Sequence, residues 1–383
     1  MERRAASNLS IAAAISIIAV FGISLGLTVP VIALVMAENG YSSAAIGAHV
    51  SVQFLGLMLT SPLTPVLLVR FGTSRLMICG LLLIACILFL FAVFSSFLSW
   101  LLLRFCLGAV EAVIFISADT WINQIAPPKR RGRIIGLYAT AISAGFGLGP
   151  FLLAYTGITG AKPFLVGAVI ALLTVPILLS KYGNPPRVEP SSNYSQWRLA
   201  LKVPIPILYT MLFGVLFASA FGLLPIYGLS LSLTPEAAAR LVGVFILGGV
   251  VFQFPLGLIA DRTNRYNVLY ISAAISALTL LLVPLLWHVS IMLYLLIFLS
   301  GGLIGSFWTI PLMLFGDKFH GSDLASVNSV SAILYGLGST IGPSVVGTCM
   351  LSSSHGLMFA MAAPMVGLTI AALLYQFLPW NRP

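Results

Sequence analysis

Three formal charges stand on one apolar stretch, residues 98–124: Arg104, Glu111 and Asp119. At about 100° per helical residue, Arg104 lies about 20° from Glu111, and Asp119 about 80°, so all three share a face. Arg104 and Glu111 are separated by about 10.5 Å along the axis, a distance two long side chains can approach across without touching. A charge at mid-bilayer costs about 2.5–3.5 kcal/mol on insertion scales, so such residues face a cavity or a partner. Glu111, near the middle of the stretch, is a carboxyl that could bind and release a coupling proton. Arg104 would tune it or hold an anionic group of a substrate. The bland alternative is a structural pair that supports helix packing. Asp119 lies close in sequence to Arg131 and Arg133, with Arg70 and Arg75 in another loop, and reads as a structural ion-pair cluster.

No other chemistry competes. The four histidines (His49, His288, His320, His355) are scattered, and neither an H-E-x-x-H run nor a phosphate-binding G-x-x-x-x-G-K-[ST] occurs. The cysteines (Cys79, Cys86, Cys106, Cys349) sit in apolar stretches without metal-ligand spacing and read as small core residues. No catalytic residue, metal or cofactor is expected.

The elements that must hold these charges are membrane spans. The chain is 60% hydrophobic and 7% charged, against about 25% charged in soluble domains. Its apolar stretches cover 10–35, 43–69, 74–95, 98–124, 132–155, 162–180, 205–230, 235–260, 266–287, 291–316, 324–350 and 356–379. Stretches this long and continuous read as helices, without the short alternating pattern of a membrane barrel. The first is too long for a signal-peptide core and reads as a retained span. Residues 181–203 are polar and proline-broken, a cytoplasmic linker between bundles at 1–180 and 204–383. All but three of the nineteen lysines and arginines fall at the termini or in alternate loops; Lys162, Arg240 and Arg104 are the exceptions. That bias places both termini in the cytoplasm and makes the net charge of +10 a matter of orientation, not of nucleic acid.

The halves repeat. Gly145-Phe146-Gly147-Leu148-Gly149-Pro150 returns about 193 residues later as Gly338-Ser339-Thr340-Ile341-Gly342-Pro343. Pro30 and Pro225 fall at near-equivalent places, as breaks flanking a pathway or as kinks kept through duplication. His49 and Gln53 in the second span, Tyr138 and Ser143 in the fifth, Gln253 in the eighth, and Asn328 and Tyr335 in the eleventh can line such a pathway. Each alone is more often a helix–helix hydrogen bond. Trp100, Trp121, Trp287 and Trp380 lie near span ends and read as interfacial anchors.

Three patterns resemble the major facilitator superfamily. Gly257-Leu258-Ile259-Ala260-Asp261-Arg262-Thr263-Asn264-Arg265 matches its loop motif, while in the first half Pro65 and Val69 replace the glycine and aspartate and Arg70 and Gly72 remain. Arg104-Phe105-Cys106-Leu107-Gly108 matches an R-x-x-x-G pattern of proton-coupled members. The paired Gly145/Gly149-Pro150 and Gly338/Gly342-Pro343 runs match a motif of exporting antiporters, and also suit plain tight packing. Ala118-Asp119-Thr120-Trp121-Ile122-Asn123, Arg131-Gly132-Arg133 and Gly316-Asp317-Lys318-Phe319 resemble the YcaD-like branch.

The resemblance implies an all-α membrane protein of twelve transmembrane helices in two pseudo-symmetric six-helix bundles. It implies a proton-coupled secondary transporter of a small molecule, acting as a monomer in a bacterial inner membrane. It also implies a conformational latch of Arg70, Asp119, Arg133, Asp261, Arg262, Arg265 and Asp317. A membrane enzyme, a receptor or a scaffold without transport is the competing class.

Overall fold

The computed structural model describes residues 2–125, 131–157, 160–179, 196–319 and 321–377, with side chains outside 2–8, 123–124, 131–133, 135–136, 154, 196–197, 321–326, 372–373 and 375–377. Most of the linker at 181–203 and the side chain of Arg133 therefore lie outside the described residues, as does Trp380.

Fifteen helices follow in order among the described residues. They are α1 (Glu2–Glu38), α2 (Ser43–Thr60), α3 (Thr64–Phe71), α4 (Thr73–Val93), α5 (Phe97–Ile125), α6 (Arg131–Thr156), α7 (Lys162–Leu172) and α8 (Val175–Leu179). Then come α9 (Gln196–Ala200), α10 (Pro204–Ser230), α11 (Pro235–Arg262), α12 (Arg265–Leu286), α13 (Ser290–Lys318), α14 (Gly321–Ser352) and α15 (Gly356–Phe377). Ten segments are long and apolar enough to cross a membrane, and Leu137–Leu153 and Gly356–Ala371 add two shorter apolar ones. Among the described residues these are consistent with the twelve spans expected. Two spans are broken. Pro62 and Pro65 interrupt the second after Thr60, and Pro176 begins a new turn in the sixth, because proline lacks the N–H that would continue the ladder.

The chain divides into two compact units. The first holds Met1–Asn39, Val52–Ser192 and Pro235–Gly243; the second holds Gly40–Ser51, Asn193–Thr234 and Val244–Pro383. In the first, α1 packs on α6, and α4 on α5 and α7. In the second, α10 packs on α14, and α12 on α13 and α15, the same neighbours in the same order.

Glycines set the closest of these contacts, since only a missing Cβ lets backbones meet. A Cβ on Gly145 would lie 2.4 Å from the Ala19 carbonyl oxygen, and one on Gly149 2.2 Å from the Gly26 carbonyl carbon. In the second unit a Cβ on Gly338 would lie 2.1 Å from the Met211 oxygen, and one on Gly342 2.7 Å from Val215. Pro150 and Pro343 continue these helices.

The opening turns of α2 also belong to the second unit and form a serine–glycine seam with α14. Ser43 Oγ donates to the Gly347 oxygen at 2.8 Å, and the Ser51 and Ser344 hydroxyls meet at 2.8 Å. A Cβ on Gly47 would lie 2.1 Å from the Pro343 oxygen.

Two expectations are corrected. All four cysteines are exposed, not core. Cys79 and Cys86 share a face of α4 with exposed Leu82, Leu83 and Phe89, and Cys106 follows Leu98 and Leu102 on α5. In a bilayer the outer face is as apolar as the interior, so a thiol suits either. Trp100 and Trp121 are buried, not interfacial. Trp100 stands between Phe91 and Phe164, and its indole N–H donates to the Phe94 carbonyl.

Candidate functional site

The site grows from one glycine. Gly108 lies one turn after Arg104 on α5, and a Cβ there would sit 1.8 Å from the Gln53 carbonyl oxygen. Gly56 makes the reciprocal approach, its Cβ position 2.2 Å from the Phe105 oxygen. The two glycines let α2 lie directly on α5. Gln53 is thereby set between Arg104, one turn before Gly108, and Glu111, almost one turn after it.

Its amide engages both. Gln53 Nε2 donates to Glu111 Oε1 at 3.0 Å and to Oε2 at 2.9 Å, and Gln53 Oε1 accepts from Arg104 Nη1. Arg104 Nη2 reaches the Val29 carbonyl, the residue before Pro30 on α1, at 3.4 Å. Arg104, Gln53 and Glu111 are 0%, 3% and 3% exposed. A buried charge is tolerated only when paired and hydrogen-bonded, and here a neutral amide bridges two opposite charges so that the set carries no net charge. The Arg104 Nε–H has no hydrogen-bond partner among the described residues. Chemically, the cluster offers a buried carboxyl and a guanidinium whose Nε–H has no partner among the described residues.

A second cluster closes the α11–α12 turn. Arg265 pairs with Asp317 on α13, donates to the Met313 carbonyl at 3.1 Å, and meets Asp261 at 3.2 Å. The Asn264 side chain caps α12 by accepting from the Tyr266 N–H at 2.9 Å. Asp261 and Asp317 are more than half exposed, so each pair contributes only about 0–1 kcal/mol to stability.

The Major Facilitator Superfamily model matches residues 14–239 and 228–383. The chain belongs to the major facilitator superfamily. Among similar proteins is the uncharacterized MFS-type transporter YfkF of Bacillus subtilis (strain 168), 26% identical over 372 residues and covering 95% of both chains. The uncharacterized MFS-type transporter YcaD of Salmonella enteritidis PT4 (strain P125109) is 23% identical, covering 86% of this chain and 85% of that one. Among solved structures, the nucleoside transporter NupG superposes with TM-score 0.79 at 14% identity, covering 97% of this chain and 99% of that one. A D-xylose-proton symporter gives 0.76 at 14%, covering 98% of each. The protein is thus a multi-pass membrane transporter of this superfamily and not an enzyme.

His49 is fully buried, one turn before Gln53 on α2. Tyr138 is buried on α6 with its hydroxyl beside the half-buried Asp119 carboxylate. Tyr335 belongs to the second unit, stacked on Phe213 at 5.7 Å and edge-on to Trp308 at 5.4 Å. Asn328 is exposed. Arg70 is exposed over its own neighbour Phe71, 5.4 Å from the ring, and Arg262 makes no ion pair among the described residues. No group of three or more metal-ligating side chains occurs among the described residues.

Proposed function

We propose that this transporter works by alternating access, with two six-helix bundles spanning 1–180 and 204–383, and couples a small-molecule cargo to protons through Glu111. The observation that carries the reading is the buried bridge of Gln53 between Glu111 and Arg104. A carboxyl held inside a span by a neutral amide can change its charge without leaving a fixed ion pair behind. The Arg104 Nε–H, without a partner among the described residues, is open to an acceptor on the cargo.

The paired glycine contacts of α1 with α6 and of α10 with α14 give each bundle a rigid two-helix spine. The Arg265 cluster acts as a conformational latch, and the basic loops set both termini in the cytoplasm of a bacterial inner membrane. The structural neighbours' cargoes, a nucleoside and D-xylose, are small molecules, and a small molecule is the cargo class proposed here.

Comparing the metabolites of cells with and without the protein identifies a cargo. Flux of that cargo is then measured in proteoliposomes under an imposed pH gradient. Glu111→Gln should abolish gradient-driven accumulation while leaving exchange of cargo without a gradient. Undiminished accumulation by this variant would overturn the coupling role.

A further inference from the structure

The second unit carries a cluster of titratable groups that the Gln53 site does not use. Tyr227 follows the Pro225 kink near the end of α10 and is fully buried. Its hydroxyl shares a 2.9 Å hydrogen bond with Nδ1 of His355, in the turn between α14 and α15. Their rings are 5.9 Å apart. Trp287, at the end of α12, lies 3.9 Å from the ring of His288 and 6.5 Å from that of His355. Three separate connections of the fold therefore meet at one point.

We propose that Tyr227, His355 and His288 form an acid-released latch, holding the α14–α15 turn to the kinked end of α10 at neutral pH and freeing it in acid. A neutral His355 can accept the Tyr227 proton at Nδ1. Once protonated it can only donate, and the buried hydroxyl must turn its lone pair toward the ring or lose the bond. The charge of His288 disfavours that added charge on His355. Burial, and after it the charge of His288, hold the His355 imidazole below its ordinary 6.5.

The surrounding titratable groups do not counter this. α10 presents Tyr227, and the α12–α13 connection presents His288. The end of α14 brings Cys349, whose carbonyl meets Gly356. No carboxylate of the described residues acts on His355. The latch stands apart from Glu111, on different helices and in the other unit.

The test uses the full chain in lipid nanodiscs, following hydrogen exchange of the 353–358 backbone as pH is lowered, with rates corrected for intrinsic pH dependence. The wild type should lose protection below about pH 6.5. His288→Gln should move that midpoint upward, because one repelling charge is gone. His355→Gln and His355→Phe should remove the pH dependence, and whichever elutes as a monodisperse species is read. Tyr227→Phe should give low protection at every pH. An unshifted midpoint in His288→Gln, or an unchanged profile in the His355 variants, would overturn the latch. Glu111→Gln should leave the profile as it is; a shift there would instead tie this turn to the Gln53 site and refute its independence.

Discussion

At the scale of single residues, the buried cluster depends on a group with no charge. Gln53→Leu keeps the volume but strands Arg104 Nη1 and the Glu111 carboxylate without partners. Leaving such groups unsatisfied costs about 1–3 kcal/mol, so the variant should melt at a lower temperature than wild type in the same detergent. Arg104→Lys should also fare worse than its charge suggests, since one ammonium cannot reach both Gln53 and the Val29 carbonyl. Arg104 and Glu111 were readable in sequence because seven residues bring two side chains to one helical face. The amide between them was not. Gln53 was one of several polar residues in spans, and a contact 58 positions away leaves no spacing to read.

At the scale of helices, the contact of α2 with α5 rests on backbone proximity that a single methyl would end. Gly108→Ala would drive a carbon into the Gln53 oxygen, and overpacking against backbone costs about 1–3 kcal/mol. The variant should unfold earlier and lose transport, whereas Gly257→Ala and Gly367→Ala, with nothing within 4 Å, should melt like wild type. The glycine–proline repeat showed in the sequence which helices come closest, because small residues at four-residue spacing have few other uses. The breaks after Thr60 and after Leu172 were missed. Prolines are common in spans, and their position alone does not say whether a helix kinks or ends. Trp121 was misplaced for a related reason, since nearness to a span end says nothing about which side of the helix faces outward.

For the molecule as a whole, the apolar stretches were legible from hydropathy and the repeat from its glycine–proline runs, while the way the chain shares α2 and α11 between units was not. That sharing is a long-range contact pattern, invisible to local composition. Acid should weaken the whole fold through His355. An imidazole whose pKa falls on folding holds its proton more weakly folded than unfolded. Its contribution is complete above about 6.5 and is lost as pH drops from there through the depressed value. Thermal unfolding in detergent should therefore occur at lower temperature at acid pH, with a smaller drop in His355→Gln. The outward-facing cysteines carry a practical consequence. Thiol reagents react with thiolate, which hydrocarbon does not support, and Cys79, Cys86 and Cys106 all lie on exposed faces of apolar helices long enough to span a membrane. Hydrophilic maleimides should leave these three largely untouched, so reporter cysteines can be engineered into the natural background with Cys349 alone replaced.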